Sequence, residues 1–348
     1  MNTSTRRTSR PIGLSQPITR LRTICSRTQG SSSFPAHQDL IRGGTAIDPT
    51  ESLIDDPSKT PWGCPAPPST TTDLITTSLK YENHGGPPPC TSDFPQSGSY
   101  ETLQVLLDAK KVWWKYYTPA YQGNTGTMWN AFLAIASVFD NKAEWDAHIS
   151  QPETNIFTDI SKGALPSVSW VIPDGVNSDH PSYKSDTGPS WVASVVNAIG
   201  ESSYWNSTAI VIVWDDWGGY YDEVKPPKLD NQGGPGFRVP MLIVSPYVGK
   251  NEISHKTFEF GSIVRFIEDN WNLGSPRNHR RDDEKHRLDV RFQPVAAVLY
   301  HDSVEPFEVV LPSPEAVRLA GRRRIVTARR GFDRRWLGEG RSRVPSAL

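Results

Sequence analysis

The chain has 348 residues, with 37 Lys and Arg against 38 Asp and Glu, so its net charge of −1 gives no overall pull toward nucleic acid or an anionic membrane. No run approaches the roughly 20 apolar residues of a membrane-spanning helix, and no transmembrane segment is expected. The length suffices for one large or two ordinary domains with a sizeable core.

Residues 1–33 are rich in Ser, Thr and Arg and contain no acid, a composition like that of a transit leader. Arg6-Arg7 lacks the apolar core that export would require. Residues 1–44 are therefore expected to be a disordered or wrongly started leader. From 45 to 95 Pro, Gly, Ser and Thr dominate, and an irregular, loop-rich segment is expected. Cys64 and Cys90 lie within it and suit either one disulfide in an oxidising compartment or two free thiols. With Cys25 they fit no zinc spacing.

An ordered core is expected over 96–274. Leu103, Leu106 and Leu107 share one helical face, and Val112 to Tyr117 reads as an aromatic strand. Residues 129–139 and 143–149 are further helical stretches. Leu165 to Pro173 is a second strand, followed by a polar loop that holds Asp179 and His180. That pair suits a metal or a phosphoryl oxygen, or else a turn with a satisfied histidine. Pro189 opens a helix with Trp191, Val192, Val195, Val196 and Ile199 at helical spacing. It joins two strands into a βαβ unit, which makes them parallel.

Ala209 to Trp214 is a continuous apolar run, the signature of a strand covered on both faces. It ends in Asp215 and Asp216, and in open α/β sheets the ligand crevice lies beyond the carboxyl ends of the strands. Adjacent carboxylates at an apolar edge repel each other and lose hydration, which a bound cation offsets. Capping of a following helix is the plainer role. Gly218 and Gly219 allow backbone close to a ligand, and Asp222 adds a third acid. Phe237 to Ser245 is a third strand, expected to run parallel to the others. Arg238 would then stand at its amino end, away from the site, as a structural residue. Ser254-His255 would lie beyond its carboxyl end, as a third polar cluster or a cap for a helix over 258–271. Residues 275–348 carry most of the arginines and one strand-like run, Phe292 to Tyr300. They are expected to form a disordered or out-of-frame extension, with no folded nucleic-acid-binding motif.

Taken in order, Val168 to Pro173, Ser178-Asp179-His180-Pro181, Trp214-Asp215-Asp216-Trp217-Gly218-Gly219, Gly236 to Pro240 and Ser245-Pro246-Tyr247 with Ser254-His255 resemble the phosphoesterase family of bacterial phospholipases C and acid phosphatases. The resemblance implies an α/β fold: a three-layer α/β/α sandwich with a mainly parallel sheet, alkaline-phosphatase-like and here incomplete. It implies hydrolysis of a phosphate ester, on a small molecule or a phospholipid head group, assisted by a divalent metal ion, in an extracytoplasmic protein. Asp215 and Asp216 would be metal ligands, His180 and His255 catalytic, and Asp179, Gly218, Gly219 and Asp222 substrate-binding. Family members open with a strand followed by Glu-Asn-x-Ser-Phe-Asp. This chain is expected to lack that amino-terminal part, which leaves a catalytically inactive remnant as the alternative to an enzyme.

Overall fold

The computed structural model describes Arg20–Ser26 as backbone, and 32–90, 100–121, 129–183, 186–226, 236–249 and 253–274 in full. The Arg-rich extension over 275–348, most of the leader and the Gly-rich run before Gly236 lie outside the described residues.

Tyr116 and Tyr117 are neighbours in strand β5 (Trp114–Tyr117), and strand alternation sends them into different layers. Tyr116 packs with Trp114, Phe132 and Ile41, whereas Tyr117 meets Ile156, Ile160, Val195 and Ile199. The last four come from α5 (Asn155–Ser161) and α6 (Gly188–Gly200), and Ile41 comes from α1 (Ser33–Arg42). Helices thus cover both faces of this sheet, and the molecule is of the α/β class. Beside β5 lie β6 (Ile149–Ser150) and β7 (Val168–Val171), both parallel to it.

A second sheet runs β10-β1-β9-β8, built from β1 (Arg20–Ser26), β8 (Ile210–Val213), β9 (Arg238–Val244) and β10 (Ile253–Phe258). Val239, Met241 and Ile243 of β9 bury against Ala36 of α1 and against Phe260 and Ile263 of α7 (Phe260–Trp271). Strand β1 is parallel to β10, whereas β9 is antiparallel to both β1 and β8. The expectation of a third parallel strand is therefore corrected. With Val213 opposite Met241 and Ser26 opposite Arg238, the amino end of β9 stands at the carboxyl ends of β1 and β8. Arg238, assigned to the far end from the sequence, stands at the site's end.

Helix α6 does connect β7 to β8, but those strands belong to different sheets, and among the described residues they do not pair with each other. Their facing edges border a cavity of about 1670 Å³. Apolar periodicity marks a strand without naming its hydrogen-bond partner, which is why the expected pairing does not hold.

Three stretches assigned as irregular are ordered, the first being Arg20–Ser26 of the expected leader, which forms β1. Residues 33–42, placed in the leader, form α1: Ser32 precedes it in extended geometry, Pro35 sits in its first turn, and Gly43 at φ 80° ends it with its N–H on the Asp39 carbonyl. Arg42 is 1 % exposed; it donates to the Glu101, Gly44 and Ala46 carbonyls and lies 4.0 Å over the Tyr100 ring. Within 45–95, β2 (Glu51–Asp55), β3 (Asp73–Thr76) and β4 (Tyr81–Glu82) make an antiparallel meander.

Cys64 and Cys90 form a disulfide with Cα atoms 4.7 Å apart, closing a loop of sequence separation 26. By loop-closure entropy its reduction is expected to remove roughly 3 kcal/mol of stability. Non-reducing peptide mapping and melts with and without reductant measure this; a Tm unmoved by reductant would contradict it.

Candidate active site

The site forms where three chain segments end together. Strand β8 delivers Asp215 and Asp216, the first turn of α1 delivers Ser33, and the loop after β7 delivers His180. Ser33 Oγ donates to Asp216 Oδ2 at 3.1 Å, and the Gly218 N–H donates to Asp216 Oδ1 at 2.6 Å. Gly218 and Gly219 take φ of 63° and 75°, which an L side chain resists. A Cβ on Gly218 would come within 3.1 Å of Pro181, so the glycine also lets the Asp216 loop close on the His180 loop.

Asp215 Oδ2 lies 3.4 Å from His37 Nε2, and His37 Nδ1 lies 3.4 Å from the Tyr116 hydroxyl. Tyr116 gives its own hydroxyl proton to the Trp129 carbonyl at 3.1 Å. Burial pushes the Tyr116 phenol well up, which keeps it neutral. His180 Nδ1 accepts the Ser182 backbone N–H at 3.2 Å. In the neutral ring this leaves the proton on Nε2, and His180 is then a hydrogen-bond donor.

A cavity of about 720 Å³ collects Ser33, Asp55, Asp56, His180, Asp216 and the backbone of Gly218 and Gly219. Its described lining holds three carboxylates and neither Lys nor Arg. Asp56 accepts from Ser32 Oγ at 2.7 Å and from the Phe34 N–H at 2.9 Å, tying α1 to the end of β2. Burial, with smaller contributions from Asp55 and Asp216, still raises the Asp56 carboxyl above its ordinary range. The smaller, repulsive part of that rise, from Asp55 and Asp216, is what a bound cation would offset.

The sign of that shift gives a prediction. A carboxyl raised in the folded state penalises folding once pH exceeds its folded value, and the penalty vanishes below the unfolded value near pH 4. Asp56→Asn is therefore expected to raise Tm at pH 7 relative to wild type and to lose that advantage near pH 3.5. Paired melts at the two pH values check it; a loss of Tm at pH 7 would contradict it.

The other expected residues are placed as follows. Asp179 adopts φ 60° and packs its carboxylate against Gly188 at the start of α6, lining the larger cavity together with His180 and Asp215. Asp222 is held by both Nε and Nη2 of Arg238, with Nε at 2.7 Å. Those hydrogen bonds draw its pKa down to about 2, so the carboxylate is already engaged by the guanidinium. His255 sits in the middle of β10, exposed, and lines neither cavity. The polar cluster expected beyond the third strand is thus part of a strand, and it is not brought to the site. The residues the sequence did not single out are Ser33, His37, Asp56 and Tyr116. A signal for the first existed: Ser33-Phe34 repeats the Ser-Phe of the family's opening motif, with Gly30, Ser31 and Pro35 where that motif has Glu, Asn and Asp.

A family model described as the phosphoesterase family matches residues 24–274. The non-hemolytic phospholipase C of Burkholderia pseudomallei is 28 % identical over 210 residues, covering 50 % of this chain and 30 % of that protein. Non-specific phospholipase C6 of Arabidopsis thaliana is 31 % identical over 165 residues, 39 % of this chain and 32 % of its own length. The chain thus spans about a third of these relatives' length. A solved Vibrio parahaemolyticus protein of the alkaline phosphatase superfamily aligns with a TM-score of 0.38 at 13 % identity, over 74 % of this chain and 59 % of that one. The family match begins inside β1 and runs through α1.

Proposed function

The chain belongs to the phosphoesterase family, and on that premise we propose that it hydrolyses phosphoric esters of the phospholipase C or acid phosphatase type with a divalent metal ion. The observation that carries this reading is the acidic cavity at the tip of β8, where Asp56 and Asp216 face a site shared with His180. Asp215, Asp216 and Asp56 would hold the cation, which when bound supplies Lewis-acid polarisation of a phosphoryl oxygen. Ser33 and the Gly218 N–H orient Asp216, and His37, backed by Tyr116, orients Asp215. His180, as an Nε2–H donor, would bind the phosphoryl or leaving-group oxygen. The Cys64–Cys90 disulfide supports an extracytoplasmic location, as such bridges persist in oxidising compartments.

The test is turnover of p-nitrophenyl phosphate and of p-nitrophenylphosphorylcholine by the purified chain after chelation and re-addition of Mg²⁺, Mn²⁺, Ca²⁺ or Zn²⁺. Metal-dependent release of nitrophenol is expected, and the preferred substrate separates phosphatase from phospholipase C. A second reading, a family member without catalysis, is favoured by Gly30, Ser31 and Pro35 in place of the motif's Glu, Asn and Asp. It predicts no turnover with any of these metals.

A further inference from the structure

Away from the acidic cavity, Asp108 on α2 (Leu103–Ala109) and Glu144 and His148 on α4 (Lys142–His148) each offer one ligand atom, and these three atoms lie within 4.8 Å of one another. Contacts from outside the trio set the state of each group. His148 Nδ1 is 2.8 Å from the Trp114 carbonyl, which only accepts. Nδ1 therefore carries a hydrogen, and the neutral ring keeps its lone pair on Nε2. The Trp114 indole stacks on that ring with centroids 4.1 Å apart and planes at 6°, fixing its orientation. Asp108 is held by Trp114 Nε1 at 2.8 Å and by Gln104 Nε2 at 3.1 Å.

Glu144 Oε2 is shut off from solvent and accepts no hydrogen bond, and His148 Nε2 stands 3.5 Å from it. With a neutral ring, two lone pairs face each other across that gap. Either a proton or a metal ion must lie between them for the arrangement to be favourable.

We propose that Asp108, Glu144 and His148 form a zinc site, distinct from the acidic cavity, that fastens the short helices α2 and α4 over Trp114 at the amino end of β5. One imidazole nitrogen and two carboxylate oxygens suit Zn²⁺ better than Mg²⁺, which takes oxygen donors, and the partial exposure of all three residues leaves room for water as a fourth ligand. The Trp114 carbonyl on Nδ1 and the donors on Asp108 are the supporting contacts that metal-binding His and carboxylates have.

The test uses the full chain carrying Asp215→Asn and Asp216→Asn, stripped with chelator and titrated calorimetrically with ZnCl₂. One equivalent of zinc and a zinc-dependent rise in Tm are expected. Adding Glu144→Gln or His148→Gln should weaken binding by about tenfold or more, with the far-UV circular dichroism unchanged. Should His148→Gln fail to fold, Glu144→Gln, on a half-exposed side chain, gives the answer by itself. Zinc affinity that Glu144→Gln leaves intact, or no zinc binding by the parent, would overturn the proposal and leave a proton between the two groups.

Discussion

Replacement of Asp215 and Asp216 together by Ala is expected to lower kcat/KM on the better nitrophenyl ester by at least about a thousandfold, the scale of losing a principal electrostatic contact at a reacting centre. Both carboxylates stand at the tip of β8, and neither supports the core: Asp216 is held by Ser33 and Gly218, and Asp215 by His37. The double variant should therefore stay folded, and its Tm should rise or hold, because a like charge near Asp56 has been removed. Taken singly, Asp216→Ala should be the more damaging, since Asp216 lines the cavity with His180 and Asp56. Steady-state kinetics with each metal decide the matter. Turnover by the double variant at the wild-type rate would separate the activity from these carboxylates.

Arg42→Ala is expected to destabilise the protein by roughly 3 kcal/mol or more, a large share of the 5–15 kcal/mol that holds a typical domain together. Arg42 is buried, and burial lowers its pKa even though Asp39, Glu101 and Tyr100 act in the other direction. Its guanidinium supplies donors to three backbone carbonyls, so truncation leaves one buried and two half-buried acceptors without their partner. Arg42→Lys should recover little, because a single ammonium cannot reproduce the planar fork. Urea unfolding measures the loss, and a change below about 1 kcal/mol would show that the site hydrates after truncation. The effect bears on function: α1 carries both Ser33 and His37, so loosening its carboxyl end also loosens the groups that orient Asp216 and Asp215.

Residues Trp114–Tyr117, Val168–Val171, Ile210–Val213 and helix α6 were legible in the chain because their apolar spacing is strong and local. So was the position of Asp215 and Asp216 at the end of an apolar strand, with the family likeness carried by the ordered motifs around them; the strand itself is half-buried at the sheet edge, not covered on both faces as its continuous apolar run suggested. The strands β2, β3 and β4 were not legible: they are two to five residues long and interleaved with Ser, Thr and Pro, so composition outweighed their pattern. Helix α1 was hidden by its flanks. Its Ser-rich lead and Arg-rich neighbourhood read as a leader, whereas its burial depends on Tyr100, Ala131 and β9, which lie far along the chain.

The amino-acid order alone thus determined the strongly periodic strands and helices and which acids end a strand, since these follow from nearest-neighbour spacing of apolar and polar side chains. Tertiary structure decided the rest: that β9 runs against β8 and brings Arg238 to Asp222, that His255 falls inside a strand, and that Ser33, His37 and Asp56 join Asp215 and Asp216. Strand direction and long-range contact depend on which edges find each other when the core closes, and no local pattern of residues encodes that choice.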